Sequence, residues 1–274
     1  MSASALPDSN LIALNLDLLR RSFAASRLAR NLHYFSAIDS TNNYARRLAE
    51  NGVAEGAIVL AESQSQGRGR LGRVWQSPPF TNLYLSIILR PKLRPAQAPQ
   101  ITLMAAVALA EALDSLLARP VAIKWPNDIL FGGKKLAGIL TEAACDVEQL
   151  HYVILGIGVN LNYRIESMPD EIRARATSIA EITGKSISRE SFLRRLIQDI
   201  ERCYGELEAS GLATIAPRWE AHFSLRGKAV RVELLDQRIE GRARGIDRDG
   251  ALLIEDNQGE VHRVIAGDVI PQEK

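Results

Sequence analysis

The chain has 274 residues, 46% hydrophobic and 24% charged, and a formal net charge of +2. That length can bury a sizeable core in one large or two smaller domains, and the near-neutral balance makes no demand for a polyanionic partner, so any basic function is local. Two distant cysteines (Cys145 and Cys203), an N-terminus without a basic-then-apolar leader and a longest apolar run of Ile101 to Ala110 argue against a disulfide framework, a zinc finger, a signal peptide and a membrane span, and point to a reducing cytoplasm.

Residues 1–30 read as a short lead-in, with Leu11, Leu14, Leu18 and Leu19 on one face of a helix. His33 to Ile38 reads as a strand. Asp39-Ser40-Thr41-Asn42-Asn43 then precedes a helical stretch, where small polar residues are expected as N-caps. One cap needs one such residue. The cluster also suits a polar ligand at a helix start.

Ala57 to Glu62 is a buried-type strand leading into Gln64-Ser-Gln-Gly-Arg-Gly-Arg-Leu-Gly-Arg-Val-Trp75. Glycine lets backbone approach a ligand, and arginine offers a planar fork for phosphate or carboxylate. The segment is neither a phosphate-binding loop with a G-K-[ST] ending nor a dinucleotide fingerprint. By itself it fits an exposed basic turn, a nucleic-acid contact or a lid over an anion. Leu83 to Leu89 is another β-run. From Ile101 to Leu116, apolar residues recur at helical steps and read as core.

Val121 to Ile123 forms a strand running into Lys124-Trp125-Pro126-Asn127-Asp128. Proline stiffens the backbone there and can hold Lys124, Asn127 and Asp128 in fixed directions. A lysine suits phosphate, an asparagine a base or ribose edge, and an aspartate a metal; a plain strand-ending turn fits equally. Ile129 to Leu140 reads as a hairpin around Gly132-Gly133. Strict alternation puts Lys135 on one face with Ala137 and Ile139, pointing inward and needing an anion, while Lys134 is solvated. His151 to Leu161 is a β-run in which Gly156 and Gly158 allow close approach. Residues 164–176 read as a loop and Thr177 to Thr183 as a short helix. Phe192 to Leu207 form a long amphipathic helix burying Cys203, and 212–222 a shorter one. Beyond Leu225, short strands are separated by D-R-D-G and D-N-Q-G turns, as in a small β-barrel. The four histidines, His33, His151, His222 and His262, read as structural or surface residues.

Six segments taken together resemble the motif series of biotin protein ligases, in the family's order. They are S-T-N-N at 40–43, Q-x-x-G-R-G-R-L-G-R-x-W at 64–75, N-L-Y-L-S at 82–86, K-W-P-N-D at 124–128, K-L-A-G-I-L at 135–140 and G-I-G-V-N at 156–160. The resemblance implies an ATP-dependent ligase that makes biotinyl-5′-AMP and passes biotin to a lysine of a biotin carboxyl carrier protein. Ser40, Thr41, Asn42 and Gln64 resemble the residues around biotin's ureido ring. Arg68, Gly69 and Arg70 resemble the closing loop, with Arg70 nearest the phosphates. Lys135 resembles the lysine on the biotin carboxylate. Arg73, Trp75, Lys124, Asn127 and Asn160 resemble residues around the nucleotide, and Asp128 one that works through magnesium. Arg70, Asp128 and Lys135 form the implied catalytic set.

The expected fold is α+β: a mixed β-sheet packed with helices, similar to class II aminoacyl-tRNA synthetases, over residues 31–224, and an SH3-like β-barrel over 225–274. No DNA-binding domain, nucleic acid or membrane is expected. A homodimer through an exposed sheet edge is. Two departures from the family stand out: Leu71 replaces an arginine present in some members, and the tail Ile270-Pro271-Gln272-Glu273-Lys274 lacks an arginine that some place near the nucleotide. Lipoate or octanoyl transfer is the rival on the same fold, and a nucleic-acid-binding regulator the rival from another class.

Overall fold

The computed structural model describes residues 12–233 and 238–272. In chain order the elements are α1 (Leu16–Ser22), β1 (Asn31–Phe35), α2 (Thr41–Glu50), β2 (Ala57–Ala61), β3 (Leu83–Leu89), α3 (Pro99–Asp114), β4 (Ala122–Lys124), β5 (Asp128–Phe131), β6 (Lys134–Cys145) and β7 (Leu150–Val159). Then come α4 (Asp170–Arg173), α5 (Ile179–Thr183), α6 (Arg189–Ser210), α7 (Ile215–His222), β8 (Ala229–Glu233), β9 (Arg238–Ile246), β10 (Leu252–Glu255), β11 (Val261–Val264) and β12 (Asp268–Pro271).

Seven strands form one mixed sheet in the order β1-β2-β3-β7-β6-β5-β4. β1 and β2 run parallel; the other neighbours are antiparallel. Side chains alternate between two faces, because successive residues of a strand point oppositely. Ile58 and Leu60, Leu83, Leu85, Ile87 and Leu89, and Val153, Leu155, Ile157 and Val159 point into the main core with α3, α6 and α7. Ala57, Val59, Ile88, Tyr152 and Ile154 point the other way, onto Ala45 and Ala49 of α2. The short α2 covers only part of that second face and leaves the rest free.

α3 is buried on nearly every side, from Gln100 to Ala110 and again at Ala112 and Leu113. A helix with apolar residues all round belongs in the centre of a core, and α3 lies between the sheet and α6. By length and composition, Pro95–Asp114 is apolar enough to cross a membrane; here it is mostly buried inside the protein.

The C-terminal strands form a five-stranded antiparallel sheet, β11-β10-β9-β8-β12. Its turns use the expected chemistry. Asp247 accepts from the backbone N–H groups of Asp249 and Ala251 at 2.9 and 3.0 Å, and Asp256 from those of Gln258 and Glu260 at 2.8 and 3.0 Å. Val230, Val232, Leu252, Ile254 and Val269 merge with the main core.

A buried ion pair lies behind the end of β2. Arg189, at the start of α6, reaches Glu62 at 2.6 Å, with side chains 5% and 0% exposed. The same arginine donates to the Ile12 carbonyl at 2.6 Å, and Glu62 accepts from the Leu14 N–H at 2.7 Å. The segment ahead of α1 is thereby fastened to the strand that delivers the arginine loop.

Three expectations need correction. Leu14 and Leu19 are buried but Leu18 is exposed, since the helix begins at Leu16 and Leu14 packs from extended chain; Leu11 lies outside the described residues. Residues 164–176 hold a turn of 3-10 helix and α4 rather than a plain loop. Lys135 does not share a face with Ala137 and Ile139. The β5–β6 register slips between Ile129 and Leu130, so Ile129 faces Ala137 while Leu130 faces Lys135. This bulge resets the alternation. Leu136 and Ala137 both enter the core, and Lys135 emerges on the free face beside Gly138.

Candidate active site

The free face of the seven-stranded sheet floors a cavity of about 710 Å³. Ser40, Thr41, Asn42, Gln64, Arg68, Gly69, Arg70, Arg73, Trp75, Lys124, Asn127, Asp128, Lys135 and Asn160, every residue expected at the site, line it. The floor is kept low by glycine. A Cβ on Gly156 would lie 2.1 Å from the Asn42 amide oxygen, and one on Gly158 2.5–2.8 Å from the Trp75 indole. Both glycines are on the site face of β7, so Asn42 and Trp75 lie directly against the backbone.

At the α2 end is a box of neutral polar groups. Ser40 starts the helix, yet its hydroxyl does not cap it. The Thr41 backbone N–H donates to Gln64 Oε1 at 2.8 Å, and the Thr41 hydroxyl lies 3.1 Å from the same oxygen. Gln64 Nε2 donates to Ser77 at 3.0 Å. The Ser86 hydroxyl, on the site face of β3, is 2.8 Å from Thr41 Oγ1 and 2.6 Å from Asn42 Oδ1. Asn42 Nδ2 donates to Glu142 at 2.8 Å.

The other end is cationic. Lys135 Nζ sits 2.7 Å from Asp128 and 5.3 Å from the centre of the Trp75 ring. Arg70 donates to Asn127 Oδ1 at 3.2 Å and to the Gly267 carbonyl at 3.4 Å, and lies 3.9 Å from Asp268. Burial draws the Arg70 guanidinium below its ordinary pKa, with Asp268 and Asp128 opposing the shift. Arg73 pairs with Asp268 as well. Asn127 Nδ2 donates to the Ile139 carbonyl at 2.8 Å, so its position is set by β6. Such a row of fixed cations can hold anionic groups that repel one another in water.

Between the two ends runs the glycine-arginine loop. Residues Arg70–Gly72 form a 3-10 turn in which Leu71 has φ 55°, and Leu71 and Val74 are exposed. Arg68, at the loop's start, reaches Asn43 at 2.9 Å and Glu142 at 3.0 Å.

Two expected residues are turned inward. Asn160 donates to the Thr177 carbonyl at 3.0 Å and lies 3.4 Å from Asn82, so its amide ties β7 to the segment before α5. Trp75 lies across β6 and β7, against Gly138 and Gly158. Sequence reasoning gave Ser86 no role, although the N-L-Y-L-S motif contains it, and passed over Glu142 and Asp268. Glu142 carried one signal: a carboxylate seven residues after Lys135, in a strand whose other site-facing positions are glycine, leucine and alanine. Asp268 carried none, because its partners Arg70 and Arg73 are far away in sequence.

The biotin/lipoate A/B protein ligase family model matches residues 34–160, and the biotin protein ligase C-terminal domain model matches residues 226–270. The biotin–[acetyl-CoA-carboxylase] ligase of Paracoccus denitrificans is 37% identical over 79% of this chain and 90% of its own length. The bifunctional ligase/repressor BirA of Bacillus subtilis is 36% identical over 88% of this chain and 74% of its own. A biotin protein ligase from Aquifex aeolicus, solved with biotin and ATP, superposes with a TM-score of 0.76 at 32% identity, covering 90% of this chain and all of that one. The fold and the site define a cofactor-attaching ligase of the biotin and lipoate class. Within that class the chain belongs to the biotin protein ligase family.

Proposed function

We propose that this chain uses the cavity described above to activate biotin with ATP and to hand it to a carrier lysine. The chain is an ATP-dependent biotin protein ligase: it forms biotinyl-5′-AMP, releases pyrophosphate and transfers biotin. The observation that carries the site assignment is the polarity of the cavity, a neutral hydrogen-bonding box at one end and Arg70, Lys124 and Lys135 at the other. Biotin has that shape, with a neutral ureido ring and a distant carboxylate.

In this reading Ser40, Thr41, Asn42 and Gln64 hold the ring, and Arg68 and Gly69 close over it. Lys135 leaves Asp128 to neutralise the carboxylate. Arg70, Arg73, Trp75, Lys124, Asn127 and Asn160 line the nucleotide side. The carboxylate oxygen attacks the α-phosphorus and the bond to pyrophosphate breaks. Arg70, Lys124 and Lys135 offset the charge that accumulates there, and holding both reactants together supplies much of the remaining rate. The loop keeps water from the acyl phosphate until a carrier amine attacks it and AMP leaves. Asp128, a single carboxylate once Lys135 has left it, fits a magnesium ion held mainly by phosphates and water, which would add positive charge at the phosphates.

The finer architecture belongs to the same proposal: a class II synthetase-like catalytic domain over 31–224 and an SH3-like barrel over 225–274. A carboxylase's biotin carboxyl carrier is the partner, a homodimer forms through the open edge of the larger sheet, and the protein works in the cytoplasm. Two unpaired cysteines, one exposed and one buried, fit that compartment.

Biotin-dependent exchange of labelled pyrophosphate into ATP, with lipoate as control, tests the activity. Exchange with biotin alone is expected. Exchange with lipoate instead would keep the fold and change the substrate.

A further inference from the structure

Glu142 lies beyond the expected motifs, yet Asn42 of the box, Arg68 of the loop and Arg46 of α2 converge on it. On the site face of β6 it follows Gly138 and Leu140, and its side chain is 19% exposed. It accepts from Asn42, pairs with Arg46 of α2 and pairs with Arg68 of the loop.

The contact with Asn42 decides more than a position. A carboxylate only accepts hydrogen bonds, so it must face the Asn42 NH₂. The same NH₂ lies 3.3 Å from the Leu140 carbonyl, another acceptor. The Asn42 oxygen is therefore turned towards Ser86, at 2.6 Å, and that contact needs the Ser86 proton. Ser86 is also the donor towards Thr41 Oγ1, at 2.8 Å, and with its one proton drawn to Asn42 that lone pair of Thr41 is left unfilled. The Thr41 hydroxyl donates its own proton to Gln64 Oε1, at 3.1 Å. Gln64 is held in that orientation, because the same oxygen also receives the Thr41 backbone N–H. The Ser86 proton points to Asn42 and the Thr41 proton to Gln64. The unfilled lone pairs of Thr41 Oγ1 are what the cavity sees.

We propose that Glu142 is a positioning residue that sets the direction of this hydrogen-bond chain, making the box an acceptor for ring N–H donors. This rests on the placement of the biotin ring in the box. A cyclic urea presents such donors. A ring that offers only acceptors would meet unfilled lone pairs, a mismatch that costs more than the missing bond itself.

Glu142→Gln tests it, because a glutamine amide can donate or accept and leaves only the longer Leu140 contact to orient Asn42. Binding is read by titration calorimetry with biotin and with a biotin methylated on a ring nitrogen, alongside KM for ATP. Wild type is expected to discriminate strongly between the two ligands. The variant is expected to bind biotin about tenfold more weakly, to lose much of that discrimination and to keep its ATP KM. A loosened Arg68 loop would weaken both ligands alike, so retained discrimination in Glu142→Gln would overturn the proposal. Gln64→Ala is the control for ring placement. If it weakens biotin while Glu142→Gln changes nothing, the role of Glu142 fails alone; if neither matters, the ring lies elsewhere and both readings fail.

Discussion

Lys135 pairs with Asp128 at 2.7 Å in this structure, so a substrate carboxylate has to compete for it. Lys135→Ala removes the cation that the anhydride-forming step requires, while the half-exposed side chain leaves no core cavity. Pyrophosphate exchange is expected to fall at least about a hundredfold with an unchanged melting transition; normal turnover by a folded variant would take Lys135 out of the chemistry. Gly158 is a second point where one atom decides. A methyl there would press 2.5 Å from the Trp75 ring, and the ring has backbone beneath it. Gly158→Ala is expected to cost about 1–3 kcal/mol in urea unfolding, the usual penalty for overpacking. The sequence made both residues legible as types, a lysine after a glycine turn and a glycine inside a strand. It did not make their neighbours legible: Trp75 and Gly158 are brought together by tertiary packing, and no local pattern records that.

The elements show where periodicity is a sound guide and where it fails. The apolar steps of α3 and α6 were readable because a helix repeats one geometry along its length, and the turns Asp247–Gly250 and Asp256–Gly259 because their aspartates bond to nearby backbone. β6 was misread because a single bulge breaks a period of two for everything beyond it. The arginine loop was readable as an anion site from its composition, but its resting partners were not. Those partners set its behaviour. Arg70→Gly removes the contacts to Asn127 and Gly267, and the variant is expected to release the adenylate early, measured as free biotinyl-5′-AMP per turnover. Unchanged retention would count against a role for Arg70 in holding it. Asp268→Asn weakens the anchor shared by Arg70 and Arg73, and faster tryptic cleavage within Arg68–Arg73 is expected. Equal cleavage rates would show that the loop is ordered by other contacts.

On the scale of the molecule, distant segments are joined by a few carboxylates. Glu55 accepts from the Arg90 N–H at 2.7 Å and the Tyr204 hydroxyl at 2.8 Å and pairs with Arg27, which links β3, α6 and the chain ahead of β1. Burial pushes the Glu55 carboxyl up, but the bonds from Arg90, Arg27 and Tyr204 outweigh it and hold its pKa below the ordinary 4.5. A carboxyl depressed in the folded state stabilises fully above its unfolded pKa, and the contribution disappears as pH falls through the folded one. Glu55→Gln is therefore expected to melt below wild type at pH 7, with the gap closing once the pH drops under 4.5. A gap that stays constant down to pH 3 would assign the loss to shape rather than charge.

The pairing of Arg189 with Glu62 makes the chain upstream of α1 part of the machine's frame. Ile12 and Leu14 are bound to those two side chains, and Glu62 is two residues before Gln64. Tension applied ahead of Ile12 travels through one guanidinium and one carboxylate to the root of the arginine loop.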